Sequence, residues 1–130
     1  MSAIKETGFL GDNPIIKGFY GYRVLAKDGH VCNSLAEKII DDFFFDNLIE
    51  HEKEPAYPEN IKRFVGKKTR ADWKIKDYFV EYFGLQTNPE YAKKTDVKIM
   101  ACDLFNVKLI KLFPGDENHL ETIFKEFISV

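Results

Sequence analysis

Apolar residues recur along this chain at two spacings, and the spacing assigns the elements. Phe19 to Lys27 reads as a strand, and Asp28-Gly29 is a strong turn dipeptide. His30 to Cys32 is therefore expected to return as a short second strand, closing a small hairpin. Asn33-Ser34-Leu35-Ala36-Glu37 then carries the S-x-x-E capping-box pattern. Ile39, Ile40, Phe43, Phe44 and Leu48 follow at helical spacing, so a helix is expected over residues 34–48, with Asp42 and Asp46 on its wetter side. His51 to Pro55 reads as a short strand ended by Pro55 and Pro58. Residues 59–70 read as a polar connection. Two strands are expected next, Ala71 to Lys76 and Tyr78 to Phe83, the second broken by Gly84. Asn88-Pro89-Glu90 is a helix start, and Asn106 can stop that helix after Phe105. Val107 to Phe113 reads as a strand, Pro114-Gly115-Asp116 as a turn, and His119 to Ile128 as an amphipathic helix. Residues 1–18, punctuated by Gly and Pro, predict nothing. The order is hairpin, α, β, β, β, α, β, α, with no repeat or linker, which predicts one α/β domain over residues 1–130.

Composition narrows the setting. With 45% hydrophobic residues and 12 Phe among 130, the chain can build a core of large rings, which excludes a disordered or fibrous class. No apolar run approaches the ~20 residues of a membrane helix, and the opening MSAIKETGFLGD lacks the apolar stretch of a signal peptide. Cys32 and Cys102 are the only cysteines and neither sits in a CxxC, so neither a disulfide scaffold nor a four-cysteine zinc site is expected. His30, His51 and His119 are scattered along the sequence and do not suggest zinc. A reducing cytoplasm, a host's if the source is viral, is the expected compartment. Nineteen basic against 21 acidic residues give a net charge of −2. That balance argues against a general nucleic-acid-coating protein, so any phosphate binding must use a local patch. The strongest such patch is Ile61 to Arg70, where Lys62, Arg63, Lys67, Lys68 and Arg70 occur with no acid.

The two strands at 71–83 hold the candidate chemistry. A two-residue turn at Lys76-Asp77 sets Asp72 opposite Glu81, Trp73 opposite Val80, Lys74 opposite Phe79 and Ile75 opposite Tyr78. Asp72, Lys74, Lys76, Phe79, Glu81 and Phe83 then share one face, and Trp73, which alternates onto the other, is expected in the core. Opposed Cβ atoms lie ~5 Å apart, where like charges repel. Two carboxylates so placed call for a cation, and Mg²⁺ uses one or two carboxylates together with phosphate oxygens and water. The alternative is a solvated hairpin face on which Lys74 and Lys76 relieve the repulsion. A single-residue slip in register would also move the pair apart. Glu37 has its own alternative, the capping box. Asp41 stands one turn further along the same helix.

The strings SLAEKIIDDFF…IEHEKEP, RADWKIKDYFVEYFGL, YAKKTDVKI and VKLIKLFPGD, read together from Asn33 to Asp116, resemble the small nuclease domains of the PD-(D/E)XK, restriction-endonuclease-like superfamily. Glu37, Asp72 and Glu81 match, in order, its helix Glu, its strand Asp and the acid of its (D/E)xK motif. The resemblance implies an αβββαβ core over about residues 33–116, here with an N-terminal β-hairpin and a C-terminal helix. It further implies Mg²⁺-dependent hydrolysis of DNA phosphodiesters, with Mn²⁺ as a substitute. Asp72, Glu81 and the backbone carbonyl of Tyr82 would be ligands, with Glu37 acting through water or on a second ion. Ala71 replaces the Pro of the motif, and Phe83 stands where its Lys should be. Some members carry that Lys on the following helix, which makes Lys98 the first candidate, then Lys94 and Lys93, with Lys74 as a same-face alternative. A solvated helix face is the plainer account of Lys98.

Lys62, Arg63, Lys67, Lys68 and Arg70 directly precede the Asp72 strand and would clamp the DNA backbone; the alternative is a solvated loop. Arg23 and Lys27 are weaker candidates for the same work, and Tyr91 fits ordinary packing better than a phosphate contact. Chains of this size often pair to cut both strands of a duplex, so a homodimer is an expectation. The contrasting expectation is a catalytically weak or inactive relative that binds DNA or a protein partner. A third is an unrelated α/β interaction protein.

Overall fold

The computed structural model describes residues 15–18, 21–84 and 88–128. Its described part is mixed α/β, with seven strands and four α-helices. The chain divides into two compact units, Met1–Ile49 with Glu117–Val130, and Glu50–Asp116.

In the first unit β1 (Ile15–Gly18), β2 (Gly21–Leu25) and β3 (Val31–Cys32) form an antiparallel sheet in that order. The Asp28-Gly29 turn forms as expected, with Gly29 at φ 95°. β1 lies where the sequence predicts nothing, and Phe19 and Tyr20 of the expected first strand lie outside the described residues. α1 (Leu35–Asp46) begins at Ser34, whose Oγ accepts from the Glu37 N–H at 3.1 Å. Ile40 and Phe44, one turn apart, are fully buried. Phe44 meets Phe124 edge-on with ring centroids 5.0 Å apart. Instead of one helix over His119 to Ile128, the chain makes a 3-10 turn at Asp116–Asn118, α4 at Leu120–Ile123 and a second 3-10 turn at Lys125–Phe127. Ile, Phe, Asn and Thr are mediocre helix formers. The seating of Phe124 against Phe43, Phe44 and Phe127 decides the path there.

The second unit holds a four-stranded sheet in the order β4 (Glu52–Lys53), β5 (Trp73–Ile75), β6 (Tyr78–Tyr82), β7 (Leu109–Leu112). β4, β5 and β6 are antiparallel neighbours; β7 runs parallel to β6, reached through α3 (Pro89–Leu104). Asn88 caps α3 with its side-chain oxygen on the N–H groups of Glu90 and Tyr91. Asn106 takes φ 56° just after the helix, the left-handed stop its position predicts.

The polar connection expected at 59–70 is instead a helix over its first half, α2 (Glu59–Val65). Ile61, Phe64 and Val65 have helical spacing, but the charges around them mask it. Ile61 is fully buried, in a core with Tyr57, Ala71, Phe79, Ala101 and Cys102. Trp73 is fully buried too, with the Lys53 ammonium 5.1 Å from its ring centre.

Candidate metal centre

The hairpin register is the one the turn predicts. Trp73 pairs with Val80, Lys74 with Phe79 and Ile75 with Tyr78. The ladder ends at Trp73; Asp72 lies just before β5, and its N–H donates to the Val80 carbonyl at 3.2 Å, one residue out of step with that register. The two-residue turn is tight because Lys76 adopts φ 54°. Asp77 within it pairs with Lys108 at 2.9 Å, beside the start of β7. Asp72 Oδ2 accepts from the backbone N–H of Tyr82 at 2.8 Å, which fixes the carboxylate against β6.

Glu81 is buried, at 4% exposure. Its Oε1 lies 2.9 Å from the ammonium of Lys98, which α3 delivers from the middle of its length. Its Oε2 accepts a hydrogen bond from the hydroxyl of Tyr57. The Tyr57 ring stacks on Phe79, centroids 5.0 Å apart, so its hydroxyl has a fixed aim. Burial first, then the charge of Glu81 and the bond to it, push ionisation of that hydroxyl far above its usual range, and the Asp72 charge adds to this. Tyr57 therefore remains a donor at every ordinary pH. Cys102 stands one helical turn beyond Lys98, on the same face of α3. Burial, then the Glu81 charge, raise its thiol to about 11. It remains protonated and is a poor nucleophile at neutral pH.

This arrangement suits a hard cation. Glu81 is buried and Asp72 half-buried, and carboxylates in such places need positive charge or donors around them. Each carboxylate oxygen has two lone pairs. Besides the bonds described, a carboxylate oxygen can share its lone pairs with a divalent ion of the Mg²⁺ type, and Asp72 and Glu81 are the residues that would offer them.

The other expected residues fall as follows. Glu37 belongs to the first unit, and its Oε1 accepts from the N–H of Asn33 at 3.2 Å, not from Ser34 as the capping box implies. Lys93 and Lys94 are exposed on α3, while the Lys74 ammonium lies 5.2 Å over the Phe79 ring. Among these lysines it is Lys98 that meets Glu81. Lys62 and Arg63 ride on α2, where Lys62 approaches Glu59 at 3.4 Å. Lys67 and Lys68 are exposed after α2, and Arg70 donates to the Glu54 carbonyl at 3.0 Å. Sequence reasoning missed Tyr57 and Cys102. The Pro55-Ala56-Tyr57-Pro58 string, a tyrosine between two prolines beside a strand, was the available signal for the first. In the first unit His30 has its Nδ1 3.0 Å from Asp28 and 3.1 Å from the buried Asp41, brought together by a tight turn and a helix.

No family model, no curated protein and no solved structure matches this chain.

Proposed function

We propose that this chain is a Mg²⁺-dependent deoxyribonuclease on the restriction-endonuclease-like plan. The supporting order of elements is α1, β4, α2, β5, β6, α3, β7, which follows that plan apart from α2, inserted between its first two strands. The observation that carries the reading is the 2.9 Å approach of Lys98 to Glu81. A lysine from the helix after the hairpin stands beside the motif acid, and supplies the positive charge that Phe83 cannot.

In this reading Asp72, Glu81 and the carbonyl of Tyr82 hold the ion. The ion supplies acidification of a water and neutralisation of phosphate charge. Lys98 orients the attacking water and donates to a phosphate oxygen as negative charge develops there, a role that gains from low local dielectric. Tyr57 holds Glu81 in one rotamer, so the carboxylate need not reorganise. Lys62, Arg63, Lys67, Lys68 and Arg70 carry backbone phosphates and set register without reading sequence. Glu37 has a capping role already, and Glu37→Gln tests whether it also serves the reaction.

A second reading is a protein of the same fold that binds DNA or a protein partner without cutting. It is favoured by the fact that both Glu81 oxygens already have protein partners. Plasmid nicking in Mg²⁺ or Mn²⁺ separates the two. Cutting by the wild type, lost in Asp72→Asn and Glu81→Gln at unchanged unfolding temperature, supports the nuclease. Cutting that survives both substitutions removes this centre from the reaction, and no cutting by the wild type leaves the binding protein.

A further inference from the structure

A cleft of about 600 Å³ opens between α2 and α3, wholly within the Glu50–Asp116 unit. Its size falls in the ~300–1,000 Å³ range of sites for small organic ligands. Its lining is of two kinds. Phe64 and Tyr91 supply aromatic surface, with the buried Phe83 behind them, while Lys93 and Lys94, and Lys98 with its ammonium on Glu81, stand against the single carboxylate of Glu90. Phe64 is 47% exposed, and its ring is braced by Phe105 at 5.7 Å between centroids. Lys98 is shared, lining the cleft and meeting Glu81. Whatever occupies the cleft therefore lies one side chain away from Glu81.

Aromatic faces beside ammonium groups match the two parts of a nucleotide, a base that stacks and a phosphate that needs cations. A paired base cannot use such a site, because its faces are covered by its neighbours in the duplex. A base must leave its stack to enter a pocket, and this costs least when the base is unpaired. We infer that the α2–α3 cleft receives an unpaired nucleotide adjoining the scissile phosphate, so that the substrate strand is single-stranded at the cut. This rests on the nuclease reading, since it names that enzyme's substrate.

The test is fluorescence anisotropy of the full chain with a labelled 15-nucleotide oligothymidylate and with a blunt duplex of equal length. Ca²⁺ is present, and the DNA is checked for integrity afterwards. The single strand is expected to bind about 10-fold more tightly than the duplex. Phe64→Ala is expected to weaken single-strand binding by about 10-fold, the size of one lost base stack, and to leave the duplex unchanged. Phe64→Leu, which keeps apolar volume without a π face, is expected to do the same should the alanine variant unfold. Lys94→Ala, at an exposed position, is expected to weaken single-strand binding several-fold. Equal affinity for both DNAs, or single-strand affinity unchanged in Phe64→Leu, overturns the inference. So does displacement of the oligonucleotide by poly-glutamate at equal charge, which would make the cleft an acidic-peptide site. Single-strand preference without Mg²⁺-dependent cutting would keep the cleft and discard the nuclease. Cutting of duplex with no single-strand preference would do the reverse.

Discussion

Removing one oxygen from Tyr57 leaves a buried carboxylate oxygen of Glu81 without its donor. A hydrogen bond to a charged group contributes ~1.5–3 kcal/mol, so Tyr57→Phe is expected to lower stability by about that amount in urea unfolding. A Mn²⁺ titration should also show weaker binding, because Glu81 is no longer held in one rotamer. An unaltered Mn²⁺ affinity would reduce Tyr57 to a packing residue. Lys98→Met is harsher. It strips a buried carboxylate of its cation, a change that costs ~3–5 kcal/mol in buried pairs, and pairing it with Glu81→Gln should recover part of the loss in a double-mutant cycle. Cys102 gives a pH signature. Its folded pKa, about 11, stands above the ordinary 9.0, so the native state holds this proton more tightly than the unfolded chain. Its contribution is full below pH 9 and disappears as pH rises toward 11. Denaturation curves across that window should flatten in Cys102→Ala. At this scale the sequence was legible in the Trp73–Val80, Lys74–Phe79 and Ile75–Tyr78 pairs and in the approach of Lys98 to Glu81. Tyr57 was not legible. Its role depends on a loop folding back onto β6, which no spacing encodes.

The β5–β6 hairpin carries Glu81 and begins just after Asp72, and it has a local cost. Lys76 sits at φ 54°, at the first position of a two-residue turn, where glycine is the residue of choice. A left-handed conformation costs roughly 1–2 kcal/mol for a residue with a Cβ. Lys76→Gly should therefore raise the unfolding temperature by a few degrees, read by calorimetry; a fall would mean that the Lys76 side chain supports the turn. The register of this hairpin was legible because only one two-residue turn centres the hydrophobic pattern of both strands. α2 was not, because Lys62 and Arg63 interrupt the apolar triad Ile61, Phe64 and Val65 in a densely charged segment. The last helix was misread in the opposite direction. Its apolar spacing is helical, but ring packing around Phe124 rather than backbone propensity sets the path.

A molecule of net charge −2 that binds phosphates must do so with a few localised cations, and salt reports how many. For single strands, log K falls with log [salt] by roughly 0.7 per phosphate neutralised. Lys67→Gln combined with Lys68→Gln should make that slope shallower by about 1.4 in an anisotropy series across salt concentrations, provided both lysines contact the strand. An unchanged slope would return Lys67 and Lys68 to the solvated surface. The division into two compact units is silent in the sequence. Ile49-Glu50 carries no linker composition, and Pro114-Gly115-Asp116 reads equally well as an ordinary turn.

That division also fixes an order of birth. Glu117–Val130 rejoins the unit begun by Met1–Ile49, so the Glu50–Asp116 unit is nested inside it in the chain. During translation at ~5–20 residues per second, Asp72, Glu81 and Lys98 have all been synthesised before Phe124 is made to pack on Phe44. The nested segment, with its carboxylates, emerges after Met1–Ile49 and before Glu117–Val130, so it has its whole sequence in hand while the outer unit still waits for its last segment.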